Sequence, residues 1–216
     1  MTRHAAGGCV VLGGGGHARV LIDLMREAGL GEPHGVLDAD PSRWGGELDG
    51  VAILGGDELL PQLRAQGVSS FAVGLGSVGD SGPRRRLFSL ALGHGLEPMM
   101  LRHPTAVCSA GATVGPGCQL LPAAIVNAGA SLGANVIVNS GAIVEHDCVV
   151  GDHVHVASGA RLASSVHVGT GAHVGIGAVV LQCISIGEAA VVGAGAVVVR
   201  DVPPATTVVG APAKPL

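Results

Sequence analysis

Aromatic side chains are almost absent from this chain, which has one Trp, two Phe and no Tyr among its 216 residues. A core without aromatics must be filled by Val, Ile, Leu and Ala, and this suits thin, regular coils better than a thick globular core. Gly is the commonest residue at 37, but 48% of the chain is hydrophobic, so the composition is too apolar for a disordered protein.

Other missing features exclude whole classes of protein. The formal net charge is −4 and there is no basic patch with interleaved aromatics, so we expect no nucleic-acid partner. No apolar run is long enough to span a membrane, and the start MTRHAAGGCVVLGGGGHARV lacks a secretory hydrophobic region, so we expect a cytoplasmic protein without membrane contact. The five cysteines are scattered and form no C-x-x-C pair, which disfavours a disulfide framework or a zinc knuckle.

A period of six residues runs through the second half of the chain. From Val114 to Val198 an aliphatic residue returns at every sixth position, giving fifteen hexads without an insertion. A second track of small or aliphatic residues lies four positions after each, from Cys118 to Val202, and Gly usually follows the first track directly. The hexad indicates one flat face of a triangular coil, with the larger aliphatic inside, the small residue in a tight corner and Gly or Asn accepting the turn dihedrals. Three hexads make a coil of eighteen residues, so we expect five stacked coils.

These hexads resemble the hexapeptide-repeat acyltransferase family, whose fold is the left-handed parallel β-helix. The handedness is implied by the resemblance alone, because it departs from the usual right-handed crossover rule. We therefore expect a left-handed parallel β-helix with a C-terminal tail over residues 105–216. A generic solenoid that binds a partner without catalysis is the alternative.

The first half alternates short strands and helices, which predicts a small Rossmann-like parallel α/β domain over residues 1–104. The predicted elements are, in order, a strand at Cys9–Leu12, a helix at Ala18–Ala28, a strand in HGVLDAD, a helix near Asp57–Gln66, a strand at Phe71–Gly74 and a helix around Arg84–Leu92. Ligands of such sheets lie at the carboxyl ends of the strands.

The first predicted strand ends in a glycine-rich turn, GGGGHA, with Asp38 about twenty residues later, which partly matches a dinucleotide fingerprint. Bare backbone N–H groups and a helix N-terminus can hold phosphates here. A tight turn without a ligand is the simpler interpretation. A dinucleotide-dependent oxidoreductase is disfavoured because the chain has no second catalytic domain.

The segment Glu145-His146-Asp147 carries the candidate chemistry. His146 lies two residues beyond an inward position, so it should face outward, and a carboxylate neighbour can hold its imidazole in one tautomer and keep it basic. Acetyl transfer from a thioester requires a group that removes the acceptor's proton, and His146 is the best candidate. His153 and His155 form an H-x-H pair, but no carboxylate or Cys converges on them, so we expect no metal.

The chain also resembles, over nearly its whole length, the sugar O- and N-acetyltransferases similar to sialic acid O-acetyltransferases and to the acetyltransferases of bacillosamine and perosamine biosynthesis. The segments that carry the resemblance are the GGGGHA turn, the DAD strand end, NSGAIVEHDCVVGDHVHVASGA and the terminal VVGAPAK. It implies that His146 is the proton acceptor, with Asp147 or Glu145 raising its basicity. Contacts with acetyl-CoA are implied for His155, Ile176, Asn139 and Gly175. Contacts with a nucleotide sugar are implied for Gly15, Gly16, His17, Asp38 and Gly74.

The resemblance further implies an acetyl-CoA-dependent N-acetyltransferase of polysaccharide biosynthesis that acts on the amino group of a nucleotide-linked 4-amino-deoxy sugar. O-acetylation of sialic acid or a similar sugar is the alternative. The DAD sequence departs from relatives that have adjacent acidic residues at this strand end, which leaves UDP, GDP and CMP open as the nucleotide. Because the hexads carry few charges, we expect a homotrimer with active sites at the subunit boundaries.

Overall fold

A computed structural model of the chain describes residues 8–216. These residues divide into two compact units, one made of residues 8–75 with Pro83–Leu101 and the other of Gly76–Gly82 with Arg102–Leu216. Residues 1–7 of the first predicted domain, which also begin the segment tested for a secretory signal, lie outside the described residues. Within residues 8–216 no helix has the length and apolar character needed to cross a membrane.

The first unit is built on a six-stranded sheet in the order β3-β4-β2-β1-β5-β6. Its strands are β1 (Cys9–Leu12), β2 (Gly35–Leu37), β3 (Glu47–Leu48), β4 (Val51–Gly55), β5 (Ser70–Val73) and β6 (Glu97–Pro98). Its helices are α1 (Gly16–Glu27), α2 (Leu60–Ala65) and α3 (Gly82–Gly93), with 3₁₀ turns at Pro41–Arg43 and Asp57–Leu59. All neighbouring pairs are parallel except β3 with β4, so the predicted Rossmann-like sheet is confirmed.

Strands β3 and β4 form a hairpin that the sequence analysis missed. They are joined by Asp49-Gly50, whose φ angles of 50° and 81° are both positive, as a type I′ turn requires. An Asp-Gly pair between short strands is a known hairpin signal, and here each strand is too short to show alternation by itself. Leu48, Val51 and Ile53 pack from this hairpin into the core of the unit.

The second unit is a left-handed parallel β-helix, as predicted. Strands of successive coils pair with an offset of eighteen residues, so Ile137 pairs with His155 and His155 with His173. The residues of both sequence tracks are buried, including Val144, Cys148 and Val150, except Val114 in the first coil, which is half-buried. The first short strand lies at Leu101–Arg102, two hexads before the predicted track begins.

The coil has three faces, numbered in chain order. Face 1 contains β7 (Leu101–Arg102), β10 (Gln119–Leu120), β13 (Ile137–Val138), β16 (His155–Val156), β19 (His173–Val174), β22 (Val191–Val192), β24 (Thr207–Val209) and β25 (Lys214–Pro215). Face 2 contains β8 (Val107–Cys108), β11 (Ile125–Val126), β14 (Ile143–Val144), β17 (Arg161–Leu162), β20 (Val179–Val180) and β23 (Val197–Val198). Face 3 contains β9 (Thr113–Val114), β12 (Ser131–Leu132), β15 (Val149–Val150), β18 (His167–Val168) and β21 (Ser185–Ile186).

The glycines that directly follow the inward track do not adopt the turn dihedrals that the sequence analysis assigns to them. Left-handed φ angles recur two positions later, and there they are adopted by Gly177 at 66°, but also by Asp147 at 59° and His153 at 60°. Gly169 is not left-handed, and a Cβ built on it would stand 2.5 Å from the backbone nitrogen of Glu188 in the next coil. For these glycines the expected reason is therefore wrong: close stacking of the coils, rather than the turn dihedrals, excludes a side chain.

Candidate active site

His146 lies at the corner between faces 2 and 3, two residues after the end of strand β14. Its side chain is 56% exposed, and its Nδ1 lies 2.8 Å from Oδ2 of Asp147. Because a carboxylate only accepts hydrogen bonds, this contact places the imidazole proton on Nδ1 and leaves Nε2 with a lone pair. The pair can therefore accept a proton at Nε2 and stabilise the resulting imidazolium.

Glu145, the other acidic neighbour, has different partners. Its Oε2 accepts a hydrogen bond from Nδ2 of Asn127 at 2.9 Å and a longer one from the backbone N–H of His146 at 3.2 Å. Glu145 thus ties this corner to the preceding coil. Of the two acidic residues that the sequence left open, Asp147 is the one in contact with the imidazole ring.

Cys148 follows this cluster and could be mistaken for a nucleophile. Its side chain occupies the small corner track, and its thiol donates to the carbonyl of Ala163 at 3.1 Å. Burial raises the pKa of the Cys148 thiol. A buried thiol that stays protonated cannot carry an acyl group by covalent catalysis, so a direct transfer fits this corner better.

A second feature of the β-helix is a cavity of about 230 Å³ at the corner between faces 1 and 2. All four residues predicted to contact acetyl-CoA line it, namely Asn139, His155, Gly175 and Ile176. Ile176 is 64% exposed, which is unusual for a large aliphatic residue and leaves its side chain available to a ligand.

His155 is locked in this cavity by two hydrogen bonds. Its Nδ1 donates to the carbonyl of Ser77 at 2.8 Å, and its Nε2 lies 2.9 Å from Nδ2 of Asn139. The carbonyl requires the proton on Nδ1, so Nε2 is the acceptor for the amide. His155 is therefore a neutral, fixed wall residue, and its two ring nitrogens are not available for proton transfer. Its ring contacts His173 edge-to-face at a centroid distance of 5.2 Å, on face 1.

In the first unit the glycine-rich turn borders a cavity of about 340 Å³. Gly15 and Asp38 line it, while Gly16 and His17 form the first turn of α1. Gly15 is the N-cap of α1 and makes no side-chain cap, so the positive end of the helix dipole lies at this turn. No atom lies within 4 Å of a Cβ built on Gly15.

Asp38 and Gly74 have structural contacts beside this cavity. The Asp38 carboxylate accepts the N–H of Gly14 at 3.0 Å and the guanidinium of Arg43 at 2.5 Å through one oxygen, and the N–H of Asp40 at 2.9 Å through the other. A Cβ on Gly74 would stand 2.5 Å from the carbonyl oxygen of Gly13. Asp38 therefore holds the turn in place, and Gly74 allows β5 to approach it.

Comparisons with known proteins match both units. Residues 9–90 match the model of the PglD N-terminal domain, and residues 129–164 match the bacterial transferase hexapeptide model of six repeats. The structure is similar to a variant of perosamine N-acetyltransferase from Caulobacter crescentus in complex with CoA and GDP-perosamine, with 39% identity, 98% of each chain covered and a TM-score of 0.91. The chain belongs to the hexapeptide-repeat sugar acetyltransferase family.

Two further structures agree with this assignment. The acetyltransferase domain of PglB from Neisseria gonorrhoeae in complex with acetyl coenzyme A has 34% identity over 96% of this acetyltransferase and 98% of that chain, with a TM-score of 0.87. WeeI from Acinetobacter baumannii has 28% identity over 96% and 99% of the two chains, with a TM-score of 0.84. Among curated proteins, none matches the chain.

The structure of this sugar acetyltransferase adds residues at the two cavities that the sequence did not reveal. Ser77 and Val78 come from Gly76–Gly82, a segment that belongs to the second unit although it lies within the first predicted domain. Arg43 and Arg86 line the cavity beside the glycine-rich turn. None of these residues belongs to a repeat or a motif, so only the fold brings them to the cavities.

The single chain does not bring all the predicted residues of the β-helix together. His146 lies at the corner between faces 2 and 3, whereas the cavity of His155 lies at the corner between faces 1 and 2. One side of the coil has six residues and so spans at most about 20 Å.

Among residues 8–216, no group of three or more His, Cys, Asp or Glu side chains is arranged to hold a metal ion. His153, the partner of His155 in the H-x-H pair, instead contacts Asn135, with 3.0 Å between its Nδ1 and the amide Nδ2. This contact joins two successive coils at the corner between faces 3 and 1.

Proposed function

We propose that this protein transfers the acetyl group of acetyl-CoA to the amino group of a nucleotide-linked amino-deoxy sugar. The observation that carries the proposal is the His146–Asp147 pair, an exposed imidazole whose Nδ1 is fixed by a carboxylate at 2.8 Å. The complexes of relatives with CoA and GDP-perosamine and with acetyl coenzyme A support the two substrates.

The reaction follows from these groups. The neutral amine of the sugar attacks the thioester carbonyl and forms a tetrahedral intermediate, and Nε2 of His146 takes the proton that the nitrogen loses. The intermediate collapses with cleavage of the C–S bond, and the leaving CoA thiolate takes the proton from Nε2 of His146, which returns the histidine to its neutral form. Asp147 stabilises the imidazolium between these steps. His155 orients the cavity wall and exchanges no proton.

A screen of nucleotide amino sugars with acetyl-CoA, read by the release of free CoA thiol, tests the proposed reaction. We expect thiol release only with an acceptor that carries a free amine, and matching formation of the acetamido sugar by mass spectrometry. Release with a hydroxyl sugar and not with an amino sugar would contradict N-acetylation and favour the O-acetyltransferase.

We further propose that the active enzyme is a homotrimer in which each site combines two chains. The outward positions of face 2 are aliphatic except for one Arg, and they are Val107, Ile125, Ile143, Arg161, Val179 and Val197. Face 2 lies between the two corners that carry His146 and the cavity, so a second copy seated on this face would lie beside both. A closed ring of three copies then forms three equivalent clefts.

Light scattering should give a mass near three chains over a wide range of protein concentration. Val179→Asp on face 2 should lower this mass and reduce activity, because it introduces a charge into the proposed interface. Val20→Asp, at a valine that is 38% exposed on α1, is the matched control and should leave the mass unchanged. A fully active monomer would refute both the assembly and the shared site.

The glycine-rich turn should bind the acceptor and not CoA. Gly15→Val puts a side chain into the cavity of the first unit without meeting any protein atom within 4 Å of its Cβ. We expect the acceptor KM to rise about tenfold or more, because the side chain blocks the approach of phosphate to the backbone N–H groups, while calorimetry gives unchanged acetyl-CoA affinity. Gly93→Val, at the end of α3 and equally free of contacts, is the control. Loss of CoA binding in Gly15→Val would show instead that the glycine-rich turn binds CoA and not the acceptor.

A further inference from the structure

The first unit has another cavity beside the glycine-rich turn. Its volume is about 420 Å³, and it is lined by residues 42–47 and by Ile53 of β4. Arg43 lines this cavity and also the one at the glycine-rich turn, so the two spaces adjoin. The site proposed for the nucleotide sugar therefore continues past the end of β2 toward the β3–β4 hairpin.

Asp38 positions groups in both cavities. Its carboxylate holds Gly14 and Arg43, and its backbone carbonyl accepts the indole N–H of Trp44 at 2.8 Å. One residue at the end of β2 thus fixes the turn, a guanidinium and an indole ring. A nucleotide whose phosphates lie at the turn would place its base toward this ring.

Trp44 is the only tryptophan in the chain, and it remains 41% exposed although its polar atom is already bonded. The exposed surface that remains is therefore the apolar part of the indole. An indole ring fixed at its edge offers a stacking surface, and stacking on an aromatic ring stabilises a bound base without regard to its identity.

Glu47 is the acidic side chain that lines this cavity, and its carboxylate can read the base. It lies on β3, where pairing with Ala52 holds its backbone, and it is exposed. A carboxylate accepts two parallel hydrogen bonds, which only guanine offers, through N1–H and the N2 amino group. Uracil offers one N–H between two carbonyls, and adenine and cytosine offer one amino group beside a bare ring nitrogen.

We propose that this cavity binds guanine, with Trp44 stacked on the base and Glu47 accepting its N1–H and N2 amino protons. The inference rests on the proposed function and refines it, since it makes the acceptor a GDP-linked sugar. Arg43, anchored by Asp38 between the two cavities, faces the anionic part of the same nucleotide.

The single tryptophan gives a direct test in the full-length protein. Titration with GDP, ADP, UDP and CDP should change the Trp44 fluorescence, and GDP should bind about tenfold or more tightly than the other three. Glu47→Gln keeps the size of the side chain but replaces one acceptor oxygen with a donor. It should weaken GDP binding about tenfold and leave UDP binding nearly unchanged, whereas Glu27→Gln at the end of α1 should change neither.

The outcomes separate this inference from the proposed function. UDP binding as tight as GDP binding, or an intact preference for GDP in Glu47→Gln, would overturn the guanine site while nucleotide-sugar binding stands. Calorimetry without heat for any of the four nucleotides would contradict both proposals. Gly15→Val should weaken all four nucleotides alike, because it acts on the phosphates and not on the base.

Discussion

Replacing His146 by Ala should lower kcat by about 10²–10⁴-fold while the affinity for acetyl-CoA is unchanged, because a positioned general base contributes about this much. The expectation follows from the geometry of the corner, where Asp147 holds Nδ1 and Nε2 is open to an acceptor. His155 cannot replace it, since both of its nitrogens are already bonded. Steady-state rates of thiol release and calorimetric titration with acetyl-CoA measure the two quantities.

The pH at which this comparison is made matters. Below the pKa of the acceptor amine most of the acceptor is an ammonium ion, from which the base must remove a proton. The loss of kcat in His146→Ala should therefore be largest in this pH range. His167→Ala removes another exposed histidine of the β-helix, on face 3, and should leave the rate unchanged. The rate of Asp147→Asn should lie between the rates of His146→Ala and His167→Ala, because the amide keeps the contact with Nδ1 but removes the charge. If the His146 variant kept a nearly normal rate at every pH, His146 could not be the general base.

The β-helix could be predicted because its signal repeats. Each hexad contributes a strand of only two residues, which is too short to recognise alone. Fifteen hexads in register nevertheless identify the inward track. Burial of Val144 follows from its place in the inward track, and burial of Cys148 from its place in the track of small corner residues. The predicted contacts with acetyl-CoA also share one cavity, because Asn139, His155 and Gly175 return to the same side of the coil after about eighteen residues.

Other features depend on contacts between residues far apart in the chain, and the sequence gives no local sign of them. The carbonyl of Ser77 bonds a histidine 78 residues later. Asp38 remains a predicted nucleotide contact, and the sequence does not show that its carboxylate also holds Gly14 and Arg43. The stacking of coils on Gly169 is likewise visible only when the next coil is in place.

This stacking leads to the largest expected effect on stability. Gly169→Ala should lower the free energy of unfolding by about 3 kcal/mol or more, because its Cβ would meet the backbone N of Glu188 at 2.5 Å and the carbonyl carbon of Gly187 at 2.8 Å. Backbone atoms cannot rotate away as a side chain can, so the coils must separate. The separation strains the hydrogen bond from the N–H of Gly169 to the carbonyl of Ile186, now 2.7 Å. For a chain of this size the loss corresponds to a melting temperature lower by about 6–12 °C, measured by circular dichroism.

Gly177→Ala is the matched control, since Gly177 is left-handed at φ 66° and has no atom within 4 Å of a built Cβ. Ala123 and Ala189 adopt φ angles of 57° and 53° at the equivalent position of other hexads, so the fold accepts alanine there. The control should cost about 1–2 kcal/mol for the left-handed backbone. If Gly177→Ala proved the more damaging variant, turn dihedrals and not coil stacking would explain the glycines of this β-helix.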